Sequence, residues 1–229
     1  VTDFKYYSLA DAHLAVGTVV VIDVLRAFTT AAYAFANGAS KIHPVSSVEE
    51  ALKLKSRISG SLIMGEVVGF KPESFDFGNS PTEINRQVLT GRTLIQRTSA
   101  GTQGVIRTME ADHQFAASFV LARATAMKIR QMNPELVSFI VTGESMGRDG
   151  DEDLACGEYI EALIKGQHPD PINYIDRIES STVVQSFRNG EMDYLSKQDM
   201  MLSKQVDHFS FFLSVQREHE LLVIIKNIN

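Results

Sequence analysis

Val19, Val20, Val21 and Ile22 form an unbroken β-branched run that ends at Asp23, with Arg26 three positions further on. A run this short and wholly apolar, feeding an alanine-rich segment, predicts a strand buried on both faces that leads into a helix. In open α/β sheets, ligands bind outside the carboxyl ends of the strands, and Asp23 stands at such an end. A plainer alternative is that Asp23 caps the following helix and Arg26 faces solvent.

The same pattern recurs along the chain. Helical composition from Thr29 to Ala36 stops at Asn37-Gly38, and Lys41 to Val45 reads as a strand. Ser47 and Glu50 form a capping box for a helix from Val48 to Ile58, followed by a strand, Leu62-Ile63-Met64, that runs into Gly65-Glu66. Residues Val67 to Pro81 lack periodicity, and long loops of this kind are often functional. Pro81 opens a helix predicted from Thr82 to Leu89. A strand from Thr93 to Gln96 empties into Arg97-Thr98-Ser99-Ala100-Gly101-Thr102. Further strands are expected at Gln114 to Phe119 and Leu136 to Val141, with helices to Gln131 and from Asp151 to about Lys165. His168 to Gln198 is hard to read. Ile172 to Ile178 has a helical pattern, and Val183 to Phe187 fits either type. Phe209 to Val215 and Leu221 to Ile225 predict an antiparallel pair.

This order predicts an α/β fold: a largely parallel sheet with flanking helices and a C-terminal antiparallel strand pair. The expectation is a single domain over residues 1–229, as one body or two closely packed lobes.

The charge balance narrows the partners. A net charge of −6 argues against non-specific nucleic-acid binding, which needs clustered cations. The single cysteine, Cys156, excludes an internal disulfide and a Cys-rich zinc site. No stretch is long and apolar enough to cross a membrane and the N-terminus lacks a signal-type core, so a cytoplasmic location is expected. A homodimer is the default assembly, because twofold oligomers are the commonest.

Four strand exits carry the residues that a phosphate site needs: Asp23 with Arg26, Glu66, Arg97 to Thr102, and Gly143 with Asp151-Glu152-Asp153. In a parallel sheet such exits share one edge. In Arg97 to Thr102, hydroxyls, a glycine and a helix start can aim several N–H groups at one phosphate, or can form an ordinary capped turn. Asp23, Glu66 and the acidic run offer hard oxygen donors of the kind Mg²⁺ takes, although acids in a first helical turn also complement the dipole. The histidines show no zinc spacing.

Other phosphate chemistries fail on sequence. There is no GxxxxGK[ST] loop. A Cys-x5-Arg thiol phosphatase would need arginine where Ala162 stands, and an aspartyl-phosphate route of the haloacid dehalogenase type would need Asp in place of Leu25. Gly143-Glu144-Ser145-Met146-Gly147 matches a GxSxG elbow in letters, but a polar turn from Arg148 to Asp151 follows it rather than a helix.

Val20-Ile22-Asp23-Val24-Leu25-Arg26-Ala27, Gly65-Glu66, Phe75-Asp76-Phe77-Gly78-Asn79-Ser80-Pro81, Thr98-Ser99-Ala100-Gly101-Thr102 and Glu152-Asp153-Leu154-Ala155-Cys156 together resemble the signature blocks of 2-phosphosulfolactate phosphatases. With the tail Phe209 to Val223, the likeness covers nearly the whole chain. The resemblance implies the family's α/β fold and a Mg²⁺-dependent hydrolase. Its substrate would be a small anionic phosphorylated molecule, 2-phospho-3-sulfolactate, in coenzyme M biosynthesis. It implies Asp23 and Glu66 as metal ligands, Arg26 as the neutraliser of substrate charge, and Asn79 and Ser80 as lining. Thr98, Gly101 and Thr102, with Arg97 beside them, would hold phosphate, and Glu152 and Asp153 would bind metal or orient water. Two positions depart from the family pattern. Val67 stands where arginine is usual, and Ala100 where an asparagine is usual. Arg97 and Arg148 are the candidates to compensate.

Overall fold

The computed structural model describes residues 2–143, 149–190 and 194–228. In chain order the elements are β1 (Asp3–Ser8), β2 (Thr18–Ile22), α1 (Ala27–Ala36), β3 (Lys41–Pro44), α2 (Val48–Arg57) and β4 (Leu62–Gly65). Next come α3 (Pro81–Ile84), β5 (Thr93–Arg97), α4 (Gly101–Arg107), β6 (His113–Ala117), α5 (Ala122–Met132) and β7 (Leu136–Val141). The last third holds α6 (Asp151–Ile164), α7 (Ile172–Ser180), α8 (Thr182–Arg188), α9 (Lys197–Ser203), β8 (Phe211–Glu218) and β9 (Leu221–Ile228).

The strands form one sheet in the order β1-β7-β2-β6-β8-β9-β3-β5-β4. β1, β7, β2 and β6 are mutually parallel, as are β3, β5 and β4. The β8–β9 hairpin joins these two halves through antiparallel pairings, so the fold is mixed α/β. Three antiparallel steps separate β2 from β3, so the halves run in opposite senses along the ladder. In a flat sheet the exits of β2 and β5 would therefore lie on opposite edges. Asp23 after β2 and Ser99 after β5 nevertheless line one cavity, which requires the sheet to curl.

The curl closes around α1. Nine of its ten residues are buried, from Ala27 through Phe35, as expected of a helix that is apolar all round. Phe28 and Phe35 pack with Val19 and Val21 of β2, Met64 of β4, Leu94 of β5 and Ile224 of β9 in one core. Each such aromatic contributes roughly 1.5–3 kcal/mol by leaving water. The alternation in β2 sends Val20 and Ile22 to the convex face, against α5 and α6. On the second half, Ala51 and Leu54 of α2 cover Ile63 and Ile95.

Most predicted elements occur within a few residues of their expected bounds. Three differ. β1 was not anticipated, because its alternation is short and its outer face is wet. The helix opened by Pro81 ends at Ile84 rather than Leu89; the chain then turns so that Leu89 N donates to Asn37 O at 3.0 Å. The segment left open between helix and strand, Val183 to Phe187, lies in α8. Among the described residues no helix is long and apolar enough to cross a membrane.

Candidate active site

A cavity of about 260 Å³ opens where β2, β4 and β5 end, lined by Asp23, Arg26, Glu66, Asn79, Ser99 and Tyr194, with Leu25, Val68, Gly69 and Ala100 as its apolar part. A wider groove of about 620 Å³ lies between α5 and the β8–β9 hairpin, but carries no carboxylate among its lining residues. The smaller cavity gathers the reactive groups.

Asp23 serves two purposes. Its Oδ1 accepts a hydrogen bond from Ala27 N at 2.9 Å, capping α1 as the plainer reading expects, but Arg26 is buried rather than facing solvent and both side chains line the cavity. Gly101 makes room for it. A Cβ there would stand 2.7 Å from Asp23 Oδ2 and 2.7 Å from Ala27 Cβ.

Glu66 is held by a loop folded over it. Gly69 N donates to Oε2 at 2.5 Å, Ser99 N donates to Oε1, and Ser99 Oγ donates to Oε2 at 3.1 Å. Val67 and Phe70 exchange backbone hydrogen bonds around that turn, and Gly69 at φ +89° lies flat against the Tyr194 ring. Behind Glu66, Arg97 Nη1 donates to the Glu66 carbonyl at 2.7 Å and to Ser99 Oγ at 3.1 Å. Arg97 thus braces the loop and does not line the cavity.

Arg26 is 5% exposed and pairs with Asp199, its Nη1 donating to Oδ2 at 2.8 Å. Its guanidinium carbon lies 5.7 Å from the centre of the Tyr194 ring. Asn79 is buried at the cavity wall, and its Oδ1 meets no hydrogen-bond partner in the described structure. Buried polar atoms are normally satisfied, so an unsatisfied one at a cavity points to a ligand or water.

The other sequence candidates sit behind the wall. Ser80 Oγ donates to Asp199 Oδ1 at 2.7 Å. Thr98 and Thr102 cap each other: Thr102 N donates to Thr98 Oγ1 at 3.0 Å and Thr98 N to Thr102 Oγ1 at 2.8 Å. Those hydroxyls start α4, as an ordinary capped turn requires. Asp153 Oδ1 accepts from Val24 N at 2.8 Å and Oδ2 from Gly143 N at 2.7 Å, tying β7 to β2. Burial, with the Glu152 and Asp23 charges nearby, pushes its carboxyl well above the usual range against those two N–H donors. Glu152 is buried beside Gly143 and does not line the cavity. Cys156 is buried in α6, and burial raises its thiol. The GxSxG match, from Glu144 on, and Arg148 lie outside the described residues.

Tyr194 and Asp199 were not found from sequence. They belong to the stretch around α9 that shows no strong periodicity, and only the fold brings them to Arg26.

Among the described residues, no three His, Cys, Asp or Glu side chains lie close enough together to hold an ion by themselves. Two carboxylates, Asp23 and Glu66, line the cavity. That sparse oxygen set fits Mg²⁺, which takes one or two carboxylates and completes its octahedron with waters and phosphate oxygens.

A family model described as 2-phosphosulpholactate phosphatase matches residues 5–222. A Bacillus subtilis (strain 168) protein named "Probable 2-phosphosulfolactate phosphatase" is 31% identical over 222 residues, which is 96% of this chain and 94% of that one. Proteins of the same name from Carboxydothermus hydrogenoformans and Thermotoga petrophila are 42% and 40% identical over 149 and 147 residues. Those matches span 65% and 64% of this chain and 61% and 62% of theirs. With a family model over nearly its whole length and a full-length relative above 30% identity, the chain belongs to the 2-phosphosulfolactate phosphatase family.

Proposed function

We propose that this protein is a Mg²⁺-dependent phosphomonoesterase that converts 2-phospho-3-sulfolactate to sulfolactate and inorganic phosphate. Family membership supports a phosphatase-like role. One observation carries the reading: Asp23, Arg26, Glu66 and Asn79, from three separate segments of the chain, converge on one small cavity.

Asp23 and Glu66 would hold the ion. When bound, the metal supplies Lewis-acid polarisation of a phosphoryl oxygen and a lowered pKa for an attacking water. Arg26 offers its remaining N–H donors to the equatorial oxygens, where charge is spread during phosphoryl transfer. The Asn79 amide adds a neutral polar contact at the wall. The hydrogen bonds that fix Glu66 keep its carboxylate from turning away, so little reorganisation is needed at the moment of reaction.

One observation favours a second substrate of the same class, a small phosphorylated hydroxy acid with fewer charges. Arg26 is the one cation among the described lining residues, and Asp199 already partners it. Val67 adds no cation at the turn over Glu66.

The test is phosphate release from 2-phospho-3-sulfolactate and from 2-phospholactate, each with Mg²⁺ and with EDTA. Mg²⁺-dependent release from the first supports the proposal, and a higher kcat/KM for the second favours the alternative. No release from either substrate refutes both.

A further inference from the structure

We infer that Asp199 is the positioning residue of this cavity, fixing the guanidinium of Arg26 in the orientation that receives an anion and anchoring, through Ser80, the loop that carries the adjoining Asn79. The inference rests on the phosphatase reading for the identity of that anion, phosphate.

Asp199 lies in α9, remote in sequence from the other groups, and is 1% exposed. It does not line this cavity but lies on the adjoining groove with Ser80 and Thr82. Its two oxygens nevertheless tie three segments together. Oδ2 accepts from Arg26 Nη1 at 2.8 Å, while Oδ1 accepts from Ser80 Oγ at 2.7 Å and from Thr82 N at 3.1 Å. Ser80 is the residue next to Asn79, so the carboxylate anchors both the cation and the loop that carries the amide.

The way Arg26 spends its donors separates positioning from simple cross-linking. Guanidinium carries five N–H donors. An arginine buried for structure alone would be expected to give most of them to protein acceptors. Here a single Nη1 contact to Asp199 is made within the described residues, with the guanidinium over the Tyr194 ring. Among the described residues the group is gripped at one end, and the rest of its fork meets no protein acceptor beside the cavity. A buried ion pair by itself is weak evidence for stability, since desolvation can cancel the attraction. Orientation is the better account of why a carboxylate stands there.

The test compares the full-length wild type with Asp199→Asn, Arg26→Gly and the double variant. Inorganic phosphate affinity is measured by calorimetry with Mg²⁺, and folding is checked by circular dichroism and melting. Asp199→Asn should weaken phosphate binding about tenfold, the scale of one lost charge-assisted hydrogen bond. Free guanidinium should restore phosphate affinity to Arg26→Gly but not to the double variant, because Asp199 is what docks it. Ser80→Ala leaves the ion pair in place; it should lose affinity several-fold, and it decides the matter if Asp199→Asn does not fold. Unchanged affinity in the folded variants, or equal guanidinium response in both backgrounds, overturns the assignment even if melting drops.

Turnover keeps the two readings apart. A wild type that binds phosphate but hydrolyses no ester refutes the phosphatase reading, and the affinity comparison still decides the role of Asp199. A wild type that binds no phosphate overturns both.

Discussion

Asp23 and Gly101 approach so closely that any side chain on the glycine would meet the carboxylate, with a Cβ 2.7 Å from Oδ2. The strand end of one half-sheet is thereby keyed to the helix start of the other. Gly101→Ala must displace either α4 or both Asp23 and the start of α1. It should destabilise the fold by about 1–3 kcal/mol, as overpacking does, and depress phosphate release more than its stability loss explains. Urea denaturation and steady-state kinetics on the same preparation check both halves of this expectation.

Asp23→Asn keeps an oxygen to accept from Ala27 N, so α1 retains its cap. The charge is lost. Mg²⁺-dependent turnover should fall by about 10²-fold or more, with melting shifted by only a few degrees. Undiminished activity removes Asp23 from the site.

Thr98 and Thr102 spend their hydroxyls on each other's backbone. Thr98→Ala should therefore cost about 0.5–2 kcal/mol of stability, as the loss of a cap does, while KM moves little. A large KM change with unaltered stability would return these hydroxyls to the phosphate.

The Asp199 carboxyl is held below the ordinary aspartate value of 3.8: burial pulls it upward, but donors from Thr82 and Ser80 and the Arg26 charge outweigh that. A carboxyl with a lowered folded pKa stabilises fully above the unfolded value and loses that stabilisation as pH falls through the folded one. Unfolding free energy should decline below about pH 3.8, and Asp199→Asn should flatten that limb while lowering stability at pH 7. Acid titrations of chemical denaturation for both proteins measure the difference in slope.

Local chemistry was legible wherever a short range of sequence decides it. Ser47 caps α2 by accepting from Glu50 N, although the Glu50 side chain reaches Ser46 rather than completing the box on Ser47. Asn37-Gly38 ends α1, and Asn133-Pro134 ends α5 with Asn133 left-handed. Asp23, Glu66 and Asn79 were legible because strand exits and a loop with dense glycine and proline mark them out. What sequence could not give was the sense of the two half-sheets, since hydrophobic alternation is blind to strand direction. It also could not give Asp199 and Tyr194, whose importance comes from a contact 173 residues away in the case of Asp199. Arg97 looked like a ligand group from its neighbours, but its reach to the Glu66 carbonyl makes it a brace.

The β8–β9 hairpin is the stitch between the two half-sheets, and it comes after every residue that faces the cavity. Each of those residues would already have been synthesised before that hairpin emerges from the ribosome. Assembly of the pocket must then wait for β8 and β9, and a product lacking these two strands would hold all the right groups without bringing them together.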